Sequence, residues 1–323
     1  MERHVFGPVC SRRLGRSLGI DLLPFKTCTY SCIYCECGPT TNLTTERREF
    51  FPTPEVIEEL DDVLARRPEL DYITFAGSGE PTLSLSLGLV ITHLKTCYPG
   101  YRVAVLTNGS LFQLPEVRKE VVKADLVIPT LTTARQETFE RIHRPAPRLS
   151  VDAIIRGLIE LRKEFFGEIW LEVFIVPLLN TTKDELDSLR DAIARIRPDR
   201  VQLNTIDRPP AEAWVEAAVT DELEHIRDVL GDAIPVDIIG LPQTRAALPG
   251  FQAGILERIE QTLLRRPCTA EDIARMTGLH IDEVTKYLAE LSLQGKVHIG
   301  RGKRGIFYQR IHGETVTDRD ATP

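Results

Sequence analysis

The stretch Leu18-Gly19-Ile20-Asp21-Leu22-Leu23-Pro24-Phe25-Lys26-Thr27-Cys28-Thr29-Tyr30-Ser31-Cys32-Ile33-Tyr34-Cys35 runs from an apolar segment into a loop whose cysteines are separated by three and then two residues. Residues 18–23 have the length and apolar content of a strand, which places the loop at that strand's C-terminal end. Soft thiolates suit iron-sulfur clusters and zinc, and the short spacing lets one loop wrap a compact metal centre. Three thiolates on a four-iron cubane leave one iron open. A structural zinc site is normally closed by four ligands, and the nearest fourth cysteine, Cys37, has a single residue between it and Cys35. That separation is awkward for two corners of one tetrahedron. Ligand preferences therefore favour the cluster, with zinc as the alternative.

Working outward, β-branched or apolar runs at residues 18–23, 72–76, 103–107, 126–131, 169–176 and 200–205 alternate with amphipathic stretches. The alternation predicts repeated βα units around a parallel sheet. Helix starts are legible between the runs: Thr53 before Pro54 reads as an N-cap and first-turn proline, and Thr182 with Glu185 as a capping box. Periodicity does not separate a partial barrel from an open doubly wound sheet, but both gather ligands at the C-terminal ends of their strands. The expected fold is α/β, a partial (βα)6 TIM-like barrel.

Past Pro249 the pattern changes. A helical period over residues 255–264, a segment opened by Thr269 and Asp272 and stopped at Gly278, and a helix over 281–293 precede strands at 296–299 and 306–309. Between those strands lies Gly300-Arg301-Gly302-Lys303-Arg304-Gly305. Three helices followed by a hairpin predict a C-terminal winged-helix domain. The expected division is residues 1–248 for the barrel, 249–313 for the winged helix and 314–323 for a flexible polar tail.

With 323 residues, 42% of them hydrophobic and 27% charged, the chain has the material for two folded domains and not the composition of a disordered one. The formal charge of -7 argues against a surface that is basic all over, yet residues 251–313 hold ten Lys or Arg against seven Asp or Glu, which keeps a local nucleic-acid footprint in play. Seven cysteines, four of them within residues 28–37, are a poor disulfide framework and a good metal-binding set. Residues 1–16 lack the apolar core of a signal peptide and no stretch reaches the length of a membrane span, so the expected location is cytoplasmic, with no membrane partner.

A second motif, Ala76-Gly77-Ser78-Gly79-Glu80-Pro81, closes the second predicted strand. Glycines there let backbone groups approach a ligand, and a carboxylate can meet an ammonium; the same residues also make an ordinary turn.

Together these residues resemble the radical S-adenosylmethionine superfamily. The cysteine spacing is that family's, with Tyr34 in the place of the aromatic before the last cysteine. The resemblance implies that Cys28, Cys32 and Cys35 hold a [4Fe-4S] cluster whose open iron takes the amino and carboxylate groups of S-adenosylmethionine, with Tyr34 near the adenine. Gly77, Ser78, Gly79, Glu80 and Pro81 resemble the family's Gly-Gly-Glu-Pro motif, which holds the methionine amino group, with serine in place of its first glycine. Thr107-Asn108-Gly109 resembles the next strand-end motif and gives Asn108 a place at the ligand. After the fourth strand, relatives carry Ser-Leu-Asp-Ala where this chain has Thr130-Leu131-Thr132-Thr133; Thr130 keeps a hydroxyl for the ribose, and Thr132 gives up the carboxylate. Gly7-Pro8-Val9-Cys10-Ser11-Arg12-Arg13-Leu14-Gly15, and Val201-Gln202-Leu203-Asn204-Thr205 followed by Arg208-Pro209-Pro210, are similar to a branch of Fe-S oxidoreductases related to tRNA wyosine synthases.

The implied activity is reductive cleavage of S-adenosylmethionine to a 5'-deoxyadenosyl radical that takes hydrogen from a substrate the residues do not specify. A reducing donor such as ferredoxin or flavodoxin is the implied partner. Lys296, Arg301, Lys303 and Arg304 on the wing, with Thr285, Lys286 and Tyr287 on the presumed recognition helix, suit phosphate contacts, so the winged helix is expected to present an RNA or protein substrate. Two rivals are a tRNA-modifying radical enzyme and a redox-sensing Fe-S regulator that binds DNA; a sensor has no need of the amine seat at Glu80. Arg12 and Arg13 suit either an anionic substrate or structural ion pairs. Glu172 and Asn180 flank the fifth strand's ligand end, with structural hydrogen bonding at least as good a reading, and Cys37 reads as a substrate-side thiol, an additional cluster ligand or, the favoured reading, a passive small residue. No residue is singled out as catalytic. All the cofactor motifs precede residue 131, which predicts a winged helix separable from the cofactor chemistry.

Overall fold

The structure, a computed structural model, describes residues 4–11, 13–206, 210–231, 234–239, 255–279, 284, 287–288, 291–292, 294–302 and 304–311. The first strands are β1 (Val5–Ser11), β2 (Gly15–Ile20) and a short pair, β3 (Thr27–Cys28) and β4 (Asn42–Leu43). Then follow α1 (Thr53–Leu64), β5 (Tyr72–Phe75), α2 (Leu87–Cys97), β6 (Val103–Thr107), α3 (Pro115–Val121), β7 (Leu126–Pro129), α4 (Gln136–His143) and α5 (Val151–Glu164). The series closes with β8 (Glu168–Phe174), α6 (Lys183–Ile196), β9 (Arg200–Asn204), α7 (Thr220–Leu230) and β10 (Val236–Ile238).

One eight-stranded sheet runs β1-β2-β5-β6-β7-β8-β9-β10, with β1 antiparallel to β2 and every other pair parallel. From β2 to α7 the chain makes six βα units, and β1 and β10 are the unjoined edges of a partial barrel. Both faces of the strands are buried, which is why they read as near-continuous apolar runs. In β6, Val103 and Val105 pack into the main core with Ile73, Phe75 and Val127, whereas Ala104 and Leu106 join a second cluster with Tyr72, Leu126 and Ile128. That is the two-residue period of a strand. The helices bury one stripe: in α5, Val151, Ile154, Ile155, Leu158 and Leu161 are inside, spaced for a single helical face.

Two helix starts differ in detail from expectation. Thr53 does not cap α1; its hydroxyl donates to Glu49 and pairs with the Ser86 hydroxyl, and Pro52 precedes the helix. Thr182 does accept from the Glu185 amide, but the Glu185 carboxylate is drawn away to the hydroxyls of Thr133 and Thr138, so the box is half formed. The first predicted strand begins and ends three residues earlier than expected, at Gly15–Ile20.

The winged helix comprises α8 (Ile255–Arg265), β11 (Cys268–Thr269), α9 (Ala270–Thr277), β12 (Val297–Gly302) and β13 (Gly305–Arg310), its sheet ordered β11-β13-β12. The α9 start is a complete capping box of Thr269 and Asp272, and the helix ends on a left-handed Gly278. Of the predicted helix over 281–293, Val284, Tyr287, Leu288, Leu291 and Ser292 are helical, and Val284, Leu288 and Leu291 join Ile255, Ile259, Leu263 and Ile273 in the core. Its other residues, the 248/249 boundary and the tail at 314–323 lie outside the described residues. Phe6 of β1 also packs against this core, and both α8 and α9 contact β1. Among the described residues no helix is long and apolar enough to cross a membrane.

Candidate active site

The cysteine loop leaves β2 at the C-terminal side of the sheet, where its backbone is pinned from three directions. Thr27 O accepts from Glu80 N, beyond β5; Ser31 N and Ile33 N donate to the carbonyls of His143 and Ile142 at the end of α4; Ile33 O accepts from Glu212 N, beyond β9. A loop so held keeps its polar groups paired and its side chains in fixed places.

Each of the three predicted ligand sulfurs has a nitrogen beside it. Lys26 Nζ lies 3.1 Å from Cys35 Sγ, His143 Nδ1 lies 3.1 Å from Cys32 Sγ, and Asn108 Nδ2 lies 3.6 Å from Cys28 Sγ. Among the described residues no three His, Cys, Asp or Glu side chains converge as ligands of a single metal ion would. Burial lifts Cys28 to about 12 and Cys32 well above the ordinary thiol value, whereas the neighbouring Cys37, seconded by the Lys26 ammonium, pulls Cys35 down to about 5. Burial lowers His143 to about 3, so its ring is neutral, and its Nδ1 can accept from the Cys32 thiol or, in the other tautomer, donate to the thiolate that a metal would leave. Cys28 and Cys32, raised as thiols, would give up their protons to a metal, and an all-sulfur donor set with N–H and ammonium groups beside it fits an anionic iron-sulfur cluster.

Beside this loop the 77–81 motif is fixed by two close approaches. A Cβ on Gly77 would lie 2.2 Å from the Asp21 carboxyl, and one on Gly79 would lie 2.1 Å from Thr27 O. Ser78 donates its amide and its hydroxyl to Asp21 Oδ2, both at 3.1 Å. Pro81 starts a single 3-10 turn that Glu80 caps. Glu80 is 1% exposed, and its carboxylate accepts from Thr82 N (3.1 Å), Thr82 Oγ1 (2.5 Å), Thr107 Oγ1 (2.6 Å) and Asn108 N (2.6 Å). All four donors are neutral, and no cation pairs with Glu80 among the described residues. Burial raises its pKa against the pull of these donors. A buried carboxylate without a countercharge is costly, and a ligand ammonium would offset that cost.

Asn108 turns inward, donating to Thr29 Oγ1 at 2.7 Å and facing Cys28. Thr130 Oγ1 donates to Glu172 Oε2 at 2.7 Å, and Glu172 Oε1 also receives Arg13 Nη1 at 2.6 Å and Asn204 Nδ2 at 2.9 Å. A carboxylate therefore stands beside Thr130 although Thr132 supplies none; β8 provides it. Arg13 is paired with it, and Arg12 lies outside the described residues. Asn180 is structural, bridging Val176 N, Thr132 O and Phe174 O. Tyr34 stacks on Phe174 with ring centroids 3.9 Å apart and meets His143 edge-on.

The wing offers fewer cations than the sequence suggested. Arg304 forms a double hydrogen bond to the Asp272 carboxylate and lies over Phe307; Lys296 Nζ is 3.5 Å from Glu260. Lys303, Thr285 and Lys286 lie outside the described residues; of the described cations in the expected set, Arg301 alone forms no ion pair among the described residues. Nor is the winged helix remote from the cofactor motifs. Arg265, closing α8, places its Nε 3.7 Å from Asp21 Oδ2, and its carbonyl accepts from Cys37 Sγ at 2.8 Å. Cys37 is thus a contact between the two parts of the chain. Lys26, His143, Asp21 and Arg265 were not singled out from the sequence: Lys26 carries a weak signal, a lone cation in an apolar run, and the other three act through contacts distant in sequence.

Residues 22–193 match the Radical SAM superfamily. The chain belongs to the radical SAM superfamily. Residues 242–303 match the DprA winged helix domain. This radical SAM chain is 32% identical over 293 residues to a UPF0026 protein of Methanocaldococcus jannaschii, covering 89% of this chain and 86% of that one, and so also belongs to the UPF0026 group. It is 39% identical over 298 residues to a Brachyspira hyodysenteriae protein named GTPase Obg, covering 91% of this chain and 43% of that much longer one. Among solved structures it is similar to a radical SAM methyltransferase from Sphaerobacter thermophilus (TM-score 0.56, 14% identity, covering 69% of this chain and 65% of that one). It is also similar to Streptococcus suis SuiB bound to S-adenosylmethionine (TM-score 0.52, 12% identity, 69% of this chain and 50% of that one). At these identities the likeness shows the fold. The chain is a radical SAM enzyme; its reaction is a separate question.

Proposed function

We propose that Cys28, Cys32 and Cys35 hold a [4Fe-4S] cluster and that residues 77–81 seat S-adenosylmethionine for reductive cleavage. The observation that carries this reading is the juxtaposition of three sulfurs, each with its own nitrogen neighbour, and a buried Glu80 carboxylate without a countercharge. When bound, the reduced cluster supplies the electron that breaks the sulfur to 5'-carbon bond of S-adenosylmethionine and yields the 5'-deoxyadenosyl radical. The chain's own part is to bind and orient. Glu80 answers the methionine ammonium, Asn108 fixes Thr29 and the Cys28 end of the loop, and Tyr34 on Phe174 forms an aromatic wall for the adenine. Thr130 and Glu172 offer hydrogen bonds for the ribose hydroxyls.

In this reading residues 1–248 are the catalytic barrel, 249–313 the winged helix and 314–323 a tail, working in the cytoplasm with a ferredoxin or flavodoxin as donor. Anaerobic reconstitution should give about four irons and four sulfides per chain, bound through three thiolates. Dithionite should then release 5'-deoxyadenosine and methionine from S-adenosylmethionine. A stable zinc site with no reducible cluster overturns the reading. Product analysis after incubation with cell extract and labelled S-adenosylmethionine identifies the hydrogen donor.

A further inference from the structure

Asp21 is the hinge pin of the 77–81 motif. It is 7% exposed, its Oδ2 takes both the amide and the hydroxyl of Ser78, and its Oδ1 takes the amide of Leu23. Gly77 has no room for a side chain because the Asp21 carboxyl occupies that space. The turn that presents Gly79 and Glu80 is therefore wrapped on one buried carboxylate. Neutral donors alone stabilise such a group poorly, and removal of a cationic partner leaves an uncompensated buried charge.

The cation beside it comes from the winged helix. Arg265 is itself 9% exposed, reaches Asp21 with its Nε, and lies over the ring of Phe6 on β1 at 4.6 Å. Its Nη1 is steadied from within α8 by Gln261 O at 3.0 Å and Gln261 Oε1 at 2.9 Å, so the guanidinium is aimed by the helix that carries it. The same residue's carbonyl takes the thiol of Cys37, two positions beyond Cys35. One residue of the winged helix thus touches the anchor of the cofactor turn through its side chain and the cysteine loop through its backbone.

We propose that Arg265 is a positioning residue for the S-adenosylmethionine site, through which the seating of the winged helix on β1 sets cofactor affinity. The proposal rests on the functional reading above. A partner that shifts α8 then changes S-adenosylmethionine affinity, and S-adenosylmethionine changes the partner's affinity by the same factor.

The test uses the full chain, reconstituted anaerobically, as wild type, Arg265→Gln, Arg265→Lys, Asp21→Asn and the Arg265→Gln/Asp21→Asn double variant. Iron content, thermal unfolding, equilibrium dialysis with S-adenosylmethionine and the electron paramagnetic resonance change it induces are measured for each. Arg265→Gln should keep its iron and bind S-adenosylmethionine about tenfold more weakly, a usual scale for coupling between two sites. Arg265→Lys should recover part of that loss, and the double variant should be no worse than the weaker single one. A merely structural ion pair would lower the unfolding temperature of Arg265→Gln while leaving its affinity and the spectral change intact, and that result overturns the proposal, as does additive loss in the double variant. If Arg265→Gln fails to fold, Arg265→Lys decides: affinity below wild type with iron retained supports the proposal, and wild-type affinity overturns it. A wild-type chain that binds no S-adenosylmethionine overturns the functional reading and this proposal with it, whereas wild-type binding unchanged in Arg265→Gln overturns this proposal alone.

Discussion

Lys26 sets an ammonium, 2% exposed, against Cys35 with no carboxylate ion pair among the described residues. A buried cation in that position is compensated when the sulfurs nearby are thiolates, and it favours the more negative, reduced state of whatever those thiolates hold. Lys26→Met should therefore make the reconstituted cluster harder to reduce, lowering the ratio of reduced to oxidised cluster at a fixed potential about tenfold, or 59 mV for one electron. A redox titration followed by electron paramagnetic resonance reads this directly, and an unchanged midpoint would mean that the ammonium is screened. Glu80→Ala should retain iron, because Glu80 touches none of the three sulfurs, but should weaken S-adenosylmethionine binding. It should also cost about 1–3 kcal/mol in urea unfolding, since buried hydroxyls of Thr82 and Thr107 lose their acceptor. At this scale the cysteines and Glu80 were legible because the loop and turn that carry them are contiguous. His143 was not, because its proximity to Cys32 depends on the end of α4 folding back over the loop.

The wing shows how an element reallocates charges that look free in the sequence. Arg304 belongs to α9, whose Asp272 it grips, so Arg304→Ala should loosen the wing and leave the salt dependence of any RNA or DNA binding unchanged. Arg301→Ala should reduce the slope of log affinity against log salt by about one if phosphate is the partner. Fluorescence anisotropy over a salt series separates the two, and an equal effect at both positions would show that the Arg304–Asp272 pair does not hold in solution. The six predicted strands are all present, because burial on both faces leaves long apolar runs, while β1 and β10 were missed. Gly7 and Pro8 sit inside β1, where the pairing with β2 is irregular between Phe6 and Val9, so the run reads as a turn. β10 is three half-buried residues, too short to show a period. The α9 cap was readable because the reciprocal bonds of Thr269 and Asp272 both form although Asp272 also takes Arg304, whereas distant threonines draw Glu185 away from Thr182.

For the molecule as a whole, motif order along the chain predicted two independent parts, and contact across β1 joins them. Phe6 contributes to the winged-helix core, and Arg265 completes the surroundings of Asp21, so the described halves share buried groups. Calorimetry of the full chain should show one main unfolding transition, and Phe6→Ala should split it, releasing the winged helix first; two well-separated transitions in the wild type would contradict the shared core. The two-part organisation was visible in composition and periodicity, but the junction was not, because it joins residues far apart in sequence. The seat on β1 also imposes an order of assembly. During synthesis β1 and the cysteine loop emerge long before α8, so the surface that Arg265 will cover stays open while the barrel forms. The turn at residues 77–81 therefore acquires its cation only when the winged helix docks, so the order of synthesis is also the order in which the surroundings of Asp21 are completed.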